Sequence, residues 1–183
     1  MKNNSTLGLV QIFWGNGKGK TTSALGTGLR ACGNGFNVYL IQFLKNGAES
    51  LEEKIPGEIL SLKKFDNFFY KRFGVEGWII KTPTENQIKS CKEALDFVKE
   101  VLQNEKFEIV IADEILYAVQ LGLLNEEEVV ELIDGKPAGK ELILTGSHKP
   151  LNKIFEKADL ISEIKKIKHP YDKGILARKG IEF

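Results

Sequence analysis

The sequence has little that would suit it to a membrane, to nucleic acid or to an oxidising compartment. Its 26 basic residues nearly balance 25 acidic residues, for a net charge of +1, whereas broad binding to nucleic acid or to membranes needs Lys and Arg in excess. It contains no apolar run near membrane-spanning length and no signal peptide. Its only cysteines, Cys32 and Cys91, lie in helical patterns, which favours buried, reduced thiols. We therefore expect a cytoplasmic protein with no nucleic-acid or membrane partner.

Internal repeats, low-complexity tracts and linkers are also missing from the sequence. A chain of 183 residues is long enough to bury about 70% of the surface that its unfolded state exposes. Its hydrophobic content of 42% is ordinary for a globular protein. These features predict one domain over residues 1–183.

Short apolar runs rich in β-forming residues alternate with helical patterns along the chain. This alternation predicts an α/β fold, with a mostly parallel sheet of about five or six strands and helices on both faces. The predicted strands are residues 7–14, 37–43, 58–63, 107–112, 141–145 and 160–167. The predicted helices cover 23–29, 82–103 with Pro83 at the first position, 126–133 and 151–158. An aromatic-rich loop is expected over 65–78.

The strongest chemical signal lies between the first strand and the first helix, in the run Gly15-Asn16-Gly17-Lys18-Gly19-Lys20-Thr21-Thr22. Glycines allow several backbone N–H groups to approach one anion, and the helix N-terminus and the Lys20 ammonium add positive charge. Thr21 is placed to put its hydroxyl on Mg²⁺. The pattern predicts a P-loop (RecA-like) domain that binds a nucleoside polyphosphate.

This loop differs from the common P-loop pattern in two ways. Trp14 occupies the position of the usual first glycine, and Lys18 places a second ammonium inside the loop. A tighter and more cationic loop favours phosphates held for something other than ordinary γ-phosphoryl transfer.

A second signal is the pair Asp113-Glu114, which ends the apolar run 107–112. Ligands of open α/β folds bind at the carboxyl ends of the strands, and Mg²⁺ needs hard oxygen ligands beyond the phosphates. We therefore predict a metal site formed by Thr21, Asp113 and Glu114. Two alternatives remain open, a helix cap and a base that activates water.

The motifs and their order resemble the P-loop type of ATP:corrinoid (cob(I)alamin) adenosyltransferases. The similarity covers the loop at 15–22, the run 38–45, Asp113-Glu114 and residues 142–146. It continues in 168–174, Ala177 and 180–183. It therefore spans nearly the whole chain in the same order.

The resemblance implies a reaction in which the cobalt(I) of a reduced corrinoid attacks the 5′ carbon of ATP and expels triphosphate. The product would be adenosylcobalamin or an adenosylated precursor. The substrates would be ATP and cob(I)alamin or another corrinoid, and the cofactor would be Mg²⁺ or Mn²⁺. The electron donor would be a flavoprotein or a similar reductant. The resemblance also implies that the protein is a homodimer. The implied nucleotide-binding residues are Gly15, Asn16, Gly17, Lys18, Gly19, Lys20, Thr21 and Thr22.

By the same resemblance, Lys20, Thr21, Glu114 and Trp78 act in catalysis. Lys18 and Lys20 hold phosphates and Asn16 lies on the nucleotide. Thr21 and Glu114 serve the metal, which Asp113 contacts through a ligand or a bound water.

Members of this family use an apolar wedge with a Phe-x-Trp pair to displace the lower axial ligand of cobalt. Trp78 matches the Trp, but Glu76 stands where the Phe would be. Phe68, Phe69 and Phe73 are candidate substitutes, so the corrinoid-binding prediction is Trp78, Phe73 and Phe69. The alternative is that these aromatic residues pack a loop onto the domain.

A further difference follows the fourth strong strand. Many relatives have an Arg soon after the Thr-Gly that corresponds to Thr145-Gly146, and this chain has Ser147-His148-Lys149. His148 and Lys149 are candidates for the phosphate or ribose contact.

Two other function classes stay open at this point: a P-loop ATPase or kinase, and a non-catalytic nucleotide-dependent corrinoid carrier.

Overall fold

The computed structural model describes residues 7–45, 55–75 and 82–182. Its strands are β1 (Val10–Trp14), β2 (Val38–Gln42), β3 (Phe68–Arg72), β4 (Ile109–Asp113), β5 (Glu141–Thr145) and β6 (Leu160–Glu163). Its α-helices are α1 (Lys20–Gly33), α2 (Gly57–Leu62), α3 (Glu85–Gln103), α4 (Ile115–Gln120), α5 (Glu126–Asp134) and α6 (Asn152–Phe155). A 3₁₀ turn covers Pro170–Lys173.

The six strands form one sheet in the order β3-β2-β4-β5-β1-β6, and every pair of neighbours is parallel. In register, Gln42 of β2 lies between Arg72 of β3 and Asp113 of β4. The carboxyl ends of all six strands therefore meet at one edge, and this confirms the predicted α/β class with about six strands.

Helices cover both faces of the sheet, because the strands are apolar on both sides. Ile109 and Ile111 of β4 face the core under α1 and α2, whereas Val110 and Ala112 belong to the core under α3, α4, α5 and α6. Two of these helices begin with a capping box. Thr84 pairs with Gln87 at the start of α3, and Asn125 pairs with Glu128 at the start of α5.

Two of the predicted elements are wrong in type. Residues 58–62 lie in helix α2, Lys63 is its C-cap, and none of them forms a strand. Ile59 and Leu62 lie three residues apart and bury one helical face. The expected loop over 65–78 contains strand β3, whose Phe68, Phe69 and Tyr70 are strong β formers. In β3, Phe68 packs on the α1 side of the sheet and Phe69 on the α3 side.

Several predicted boundaries also differ. Helix α1 begins inside the glycine-rich loop at Lys20 and runs on to Gly33. Pro83 precedes the cap residue Thr84 and is not the first helical residue. Helix α4, α6 with only four residues, and the end of β6 at Glu163 were not predicted as such.

The two cysteines are buried and free, as the sequence indicates. Burial raises the pKa of Cys91 to about 11 and also raises the pKa of Cys32, so both thiols are poor nucleophiles at neutral pH. Within the described ranges, no helix combines the length and the apolar character needed to cross a membrane.

Candidate nucleotide site

The carboxyl edge of the sheet carries a cluster of strained backbone positions. The described non-glycine residues with positive φ are Leu44 (58°), Glu114 (64°) and Ser147 (57°), and they follow β2, β4 and β5 respectively. Such conformations cost free energy and concentrate at functional sites. The glycine-rich loop after β1 lies at the same edge, so we take this edge as the candidate site.

The loop packs against the backbone that follows β5 and β6. The Gly15 N–H donates to the Ser147 carbonyl at 3.0 Å, and the Gly17 N–H donates to the Ile164 carbonyl at 2.7 Å. A Cβ on Gly15 would lie 2.4 Å from the Ile164 oxygen, and a Cβ on Gly17 would lie 2.7 Å from it. Both glycines are therefore required by close backbone approach, in addition to any role in binding an anion.

The Lys20 side chain folds back over the loop. Its ammonium donates to the carbonyl of Gly15 at 2.8 Å and to that of Gly17 at 3.0 Å. Burial lowers the pKa of Lys20, while the carboxylates of Glu114 and Asp113 oppose this shift. A polyphosphate would offer this partly desolvated cation stronger acceptors than two neutral carbonyls.

Asp113 connects the loop to two neighbouring strands. It is fully buried, and its Oδ1 accepts from the hydroxyls of Thr21 at 2.8 Å and Thr145 at 2.6 Å. Its Oδ2 accepts from Nε2 of Gln42 at 3.0 Å. Because all three donors come from different elements, Asp113 holds the Thr21 hydroxyl in place at the edge of the sheet.

Glu114 is fixed through its backbone and leaves its carboxylate toward the cleft. Its N–H donates to Thr145 Oγ1 at 2.9 Å, and its Oε1 lies 3.9 Å from the Lys45 ammonium. Burial and the Asp113 carboxylate raise the pKa of Glu114, while Lys45 and Lys20 oppose this. Its side chain makes no capping hydrogen bond to α4, so the helix-cap alternative for this carboxylate lacks structural support.

The oxygen atoms of Thr21, Asp113 and Glu114 are the donor type that Mg²⁺ prefers. In the part of the chain that the structure describes, no group of three or more His, Cys, Asp or Glu side chains is arranged to hold a metal. Mg²⁺ usually binds through one or two carboxylates together with substrate phosphates and waters. The residues therefore fit a cation that arrives with a polyphosphate.

A cleft of about 970 Å³ opens beside the loop. Its lining includes the polar residues Lys20, Thr21, Lys45 and Glu114 together with residues of α1 and α2. The apolar residues that line it are Leu25, Leu29, Pro56, Leu62, Phe65 and Ile181. The cleft thus offers polar groups that suit an anion with its counter-ion and apolar surface that suits an uncharged group.

Most of the predicted nucleotide-binding residues line this cleft, namely Gly17, Lys18, Gly19, Lys20, Thr21 and Thr22. Gly15 and Asn16 are not among the lining residues. Asn16 and Lys18 both contact the segment after β6. The Asn16 Oδ1 accepts from the Lys166 N–H at 2.8 Å, and Lys18 is paired with Glu182 at 2.9 Å.

The two predicted corrinoid residues that the structure describes, Phe69 and Phe73, lie at different depths along β3 and its end. Phe69 packs on Phe107 and Tyr39, with ring centroids 5.2 and 6.2 Å apart, and it lies three residues before Arg72, about 10 Å from the site edge. Phe73 lies at that edge, where its N–H donates to the Gln42 carbonyl, and its ring packs on Phe97. Trp78 and Glu76 fall outside the described residues.

Gln42, Lys45 and Tyr117 at the site were not assigned roles from the sequence. Gln42 and Lys45 lie at and just after the end of β2, and strand ends in a parallel sheet are the signal that could have identified them. Tyr117 packs on His148, with ring centroids 5.2 Å apart, and burial and Lys20 lower the pKa of His148. A lowered pKa favours the neutral form of the His148 imidazole.

The fold and the loop define a P-loop nucleotide-binding domain. Solved structures with this fold include ATPases 2 and 3 of EssC from Geobacillus thermodenitrificans, with a TM-score of 0.51 and 14% identity over 94% of this chain and 35% of that one. The cytoplasmic domain of EssC gives a TM-score of 0.52 and 18% identity over 94% and 34%. At these identities the likeness shows the fold alone.

The sequence comparisons identify the family. The family model for ATP:corrinoid adenosyltransferase BtuR/CobO/CobP matches residues 6–183, and the chain belongs to this family. The corrinoid adenosyltransferase of Escherichia coli K12 is 33% identical over 96% of this chain and 86% of its own length. Corrinoid adenosyltransferase CobA of Salmonella typhimurium is 32% identical over the same shares, and the Pseudomonas aeruginosa relative is 32% identical over 96% and 84%.

Proposed function

We propose that this chain transfers the 5′-deoxyadenosyl group of ATP to the cobalt(I) of a reduced corrinoid and releases triphosphate. The observation that carries the proposal is the match of residues 6–183 to the adenosyltransferase family. The arrangement of the loop, Asp113 and Glu114 at one edge of the sheet supports it. Nothing in the described site favours a second function over this one.

The reaction makes one bond and breaks one. Cobalt(I) supplies both electrons of the new cobalt–carbon bond, and the bond between C5′ and the triphosphate oxygen breaks with its electron pair on the oxygen. Negative charge therefore builds on the leaving group in the transition state. Positive groups placed in advance around that oxygen lower the barrier.

The residues that would hold this leaving group are Lys20, Lys18 and the loop amides. Lys20 is already partly desolvated and donates to two neutral carbonyls, so it can exchange them for phosphate oxygens without leaving the loop. Asn16 would lie against the nucleotide, and Thr22 would extend the phosphate-binding loop into the first turn of α1. Roles for His148 and Lys149 at phosphate or ribose remain part of the proposal.

We infer that Thr21 and Glu114 hold Mg²⁺ or Mn²⁺, with Asp113 positioning the Thr21 hydroxyl. The cation would neutralise charge on the triphosphate. Glu114 as a base that activates water is the alternative that a P-loop ATPase or kinase would need.

Identification of the product tests the function. Incubation with ATP and a chemically reduced corrinoid should release triphosphate in a 1:1 ratio with adenosylated corrinoid. Release of orthophosphate or formation of a phosphorylated product would instead show an ATPase or kinase. Binding of both substrates without turnover would show a carrier.

We further propose that residues 1–183 act as one domain and as a homodimer. An electron donor such as a flavoprotein would supply the electron that reduces the cobalt(II) of the corrinoid to cobalt(I). The exposed apolar residues Leu160 and Ile161 on the edge strand β6 support a surface for a second copy. Trp78, Phe73 and Phe69 stay predictions as corrinoid contacts, and the packing of Phe69 favours a core role for that residue.

A further inference from the structure

The segment after β6, residues 164–182, crosses the nucleotide loop, and we call it the strap. Three successive loop residues bond to it. Asn16 accepts from the Lys166 N–H, Gly17 donates to the Ile164 carbonyl, and the Lys18 ammonium donates to the Ile181 carbonyl at 3.1 Å. The strap therefore lies directly against the groups that a polyphosphate would use.

The far end of the strap places a carboxylate on a loop ammonium. Glu182 Oε1 lies 2.9 Å from Lys18 Nζ and 3.1 Å from Nη2 of Arg178. The hydrogen bond from Arg178, followed by that from Lys18, holds the pKa of Glu182 at about 2. Glu182 is therefore an anion at neutral pH, and it lines the same cleft as Lys20 and Thr21.

A bound polyphosphate and the Glu182 carboxylate would compete for the same cation. Lys18 has one ammonium, and two anions brought to it would also repel each other. Competition between Glu182 and the polyphosphate for Lys18 would lower the affinity of the site for the polyphosphate, although the contacts of the bound polyphosphate stay the same.

We propose that Glu182 is an internal competitor of the polyphosphate for Lys18. The strap releases Lys18 when a polyphosphate binds, and the return of Glu182 to Lys18 favours release of the triphosphate product. The inference rests on the proposed function for the identity of that product, but it requires only that the loop binds a polyphosphate.

Calorimetry with inorganic triphosphate and Mg²⁺ tests the competition directly. We expect Glu182→Gln to bind triphosphate about two- to fivefold more tightly than the wild type, the factor carried by an exposed ion pair. Glu163→Gln removes the same charge from the end of β6, where the carboxylate pairs with Lys165, and should leave the affinity unchanged. Equal or weaker binding by Glu182→Gln, or an equal gain in both variants, would overturn the proposal.

A variant of the loop lysine provides the second arm of a double-mutant cycle. Lys18→Gln alone should weaken triphosphate binding, and adding Glu182→Gln in that background should give a clearly smaller gain than it gives in the wild type. A gain of the same size with and without Lys18 would show that Glu182 acts through the general field of the protein, and would contradict the competition.

The position of the strap gives a readout that does not depend on affinity. Thermodynamic linkage makes the two effects equal in size. If the bound strap lowers the affinity for triphosphate by a given factor, then bound triphosphate must favour detachment of the strap by the same factor. Trypsin cleavage after the exposed Lys179, followed by mass spectrometry, should therefore be about two- to fivefold faster with saturating triphosphate. Unchanged or slower cleavage would mean that the strap stays on, or closes over, the ligand. If triphosphate binds as expected but no adenosylated corrinoid forms, only the proposed function fails.

Discussion

Lys20 and Glu114 are two site residues whose charged forms are disfavoured by burial. Burial lowers the pKa of Lys20 and raises the pKa of Glu114. Glu114 and Asp113 partly offset the effect of burial on Lys20. Lys45 and Lys20 partly offset it on Glu114, whereas the Asp113 carboxylate adds to it. A polyphosphate with its cation would bring the missing partner to each, so ligand binding and residue ionisation should be coupled.

Replacing Lys20 tests the role of its ammonium. We expect Lys20→Ala to fold and to bind ATP about ten- to a hundredfold more weakly, because a hydrogen bond to a charged group contributes about 1.5–3 kcal/mol. Calorimetry measures the loss, and circular dichroism controls for folding. Near-wild-type ATP binding by a folded variant would refute the assignment of the loop.

The charge of Glu114 should lower the stability of the nucleotide-free protein. Because its folded pKa is raised, the folded state binds the proton more tightly than the unfolded chain, and stability is lost as the pH rises above the ordinary Glu value of 4.5. Glu114→Gln should therefore melt about 2–4 °C higher than the wild type at pH 7.5. The difference should shrink as the pH falls toward 4.5. The exposed Glu131→Gln on α5 is the control, and an equal effect there would contradict the explanation.

The same variant should be impaired with its ligands. Glu114→Gln keeps the shape of the side chain but removes a hard anionic oxygen, so half-maximal turnover should need more Mg²⁺ and maximal turnover should fall. A titration of turnover against Mg²⁺ measures both. A wild-type Mg²⁺ dependence would assign Glu114 a structural role.

Trp78 is predicted to help displace the lower axial ligand of cobalt, which matters for forming cobalt(I) and not for its attack on ATP. Trp78→Ala should therefore reduce turnover from cobalt(II) with a mild reductant much more than turnover from corrinoid already reduced. A potential shift of about 60 mV in this one-electron step changes the reduction equilibrium tenfold. Equal losses in both assays would indicate general positioning, and no loss in either would indicate packing.

At the residue scale, the motif and the strand ends predicted which residues would be neighbours. The loop pattern predicted Lys20 and Thr21, and the rule for open α/β sheets predicted Asp113 and Glu114 at the same edge. The hydrogen bonds of Asp113 to Thr21, Thr145 and Gln42 were beyond prediction, because they depend on the register of β2, β4 and β5. The roles of these residues stay predictions until the variants are measured.

At the scale of elements, the packing of the glycine-rich loop against the end of β6 determines the position of the loop. A Cβ on Gly17 would meet the Ile164 oxygen at 2.7 Å, a distance that only a shift of the backbone can relieve. We expect Gly17→Ala to weaken ATP binding at least about tenfold, since it displaces the loop from β6. The control is Gly33→Ala at the end of α1, where a Cβ has open space, and its ATP affinity should match the wild type.

Element types were predictable where the apolar pattern was long or the cap was explicit. β4, β5 and α5 follow buried runs or capping boxes, and their predicted positions are confirmed to within two residues. The prediction of a strand over residues 58–63 was wrong because six residues are too few to distinguish a helical from a strand period. Strand β3 was not predicted because its aromatic residues were assigned to corrinoid binding and not to the sheet.

At the scale of the whole molecule, the fold class and family are confirmed, but the strand order was not available from the sequence. Local patterns predict elements, whereas the order β3-β2-β4-β5-β1-β6 depends on which distant strands pair. β6 is an edge strand for this reason, and its exposed Leu160 and Ile161 follow from that position.

The proposed homodimer can be tested on β6. Light scattering should give about twice the chain mass of 20.5 kDa for the wild type and about the chain mass for Ile161→Glu, because a charge would be buried at the contact. Leu60→Glu, at an exposed apolar residue of α2, should stay dimeric. A monomeric wild type would contradict the homodimer, and a dimeric Ile161→Glu would place the contact elsewhere.

The position of β1 in the sheet has a consequence for synthesis of the protein. β1 comes before the other described strands in the sequence, yet its two neighbours are β5 and β6, so Val10 pairs with Leu142 and Gln11 pairs with Leu160. Contacts between residues so far apart in sequence form late and slowly. On the ribosome, the apolar β1 and the loop behind it must therefore wait until β5 and β6 have been synthesised, and a chain interrupted before then would expose β1 to aggregation. A nascent chain should acquire the ability to retain ATP abruptly, once β6 has emerged.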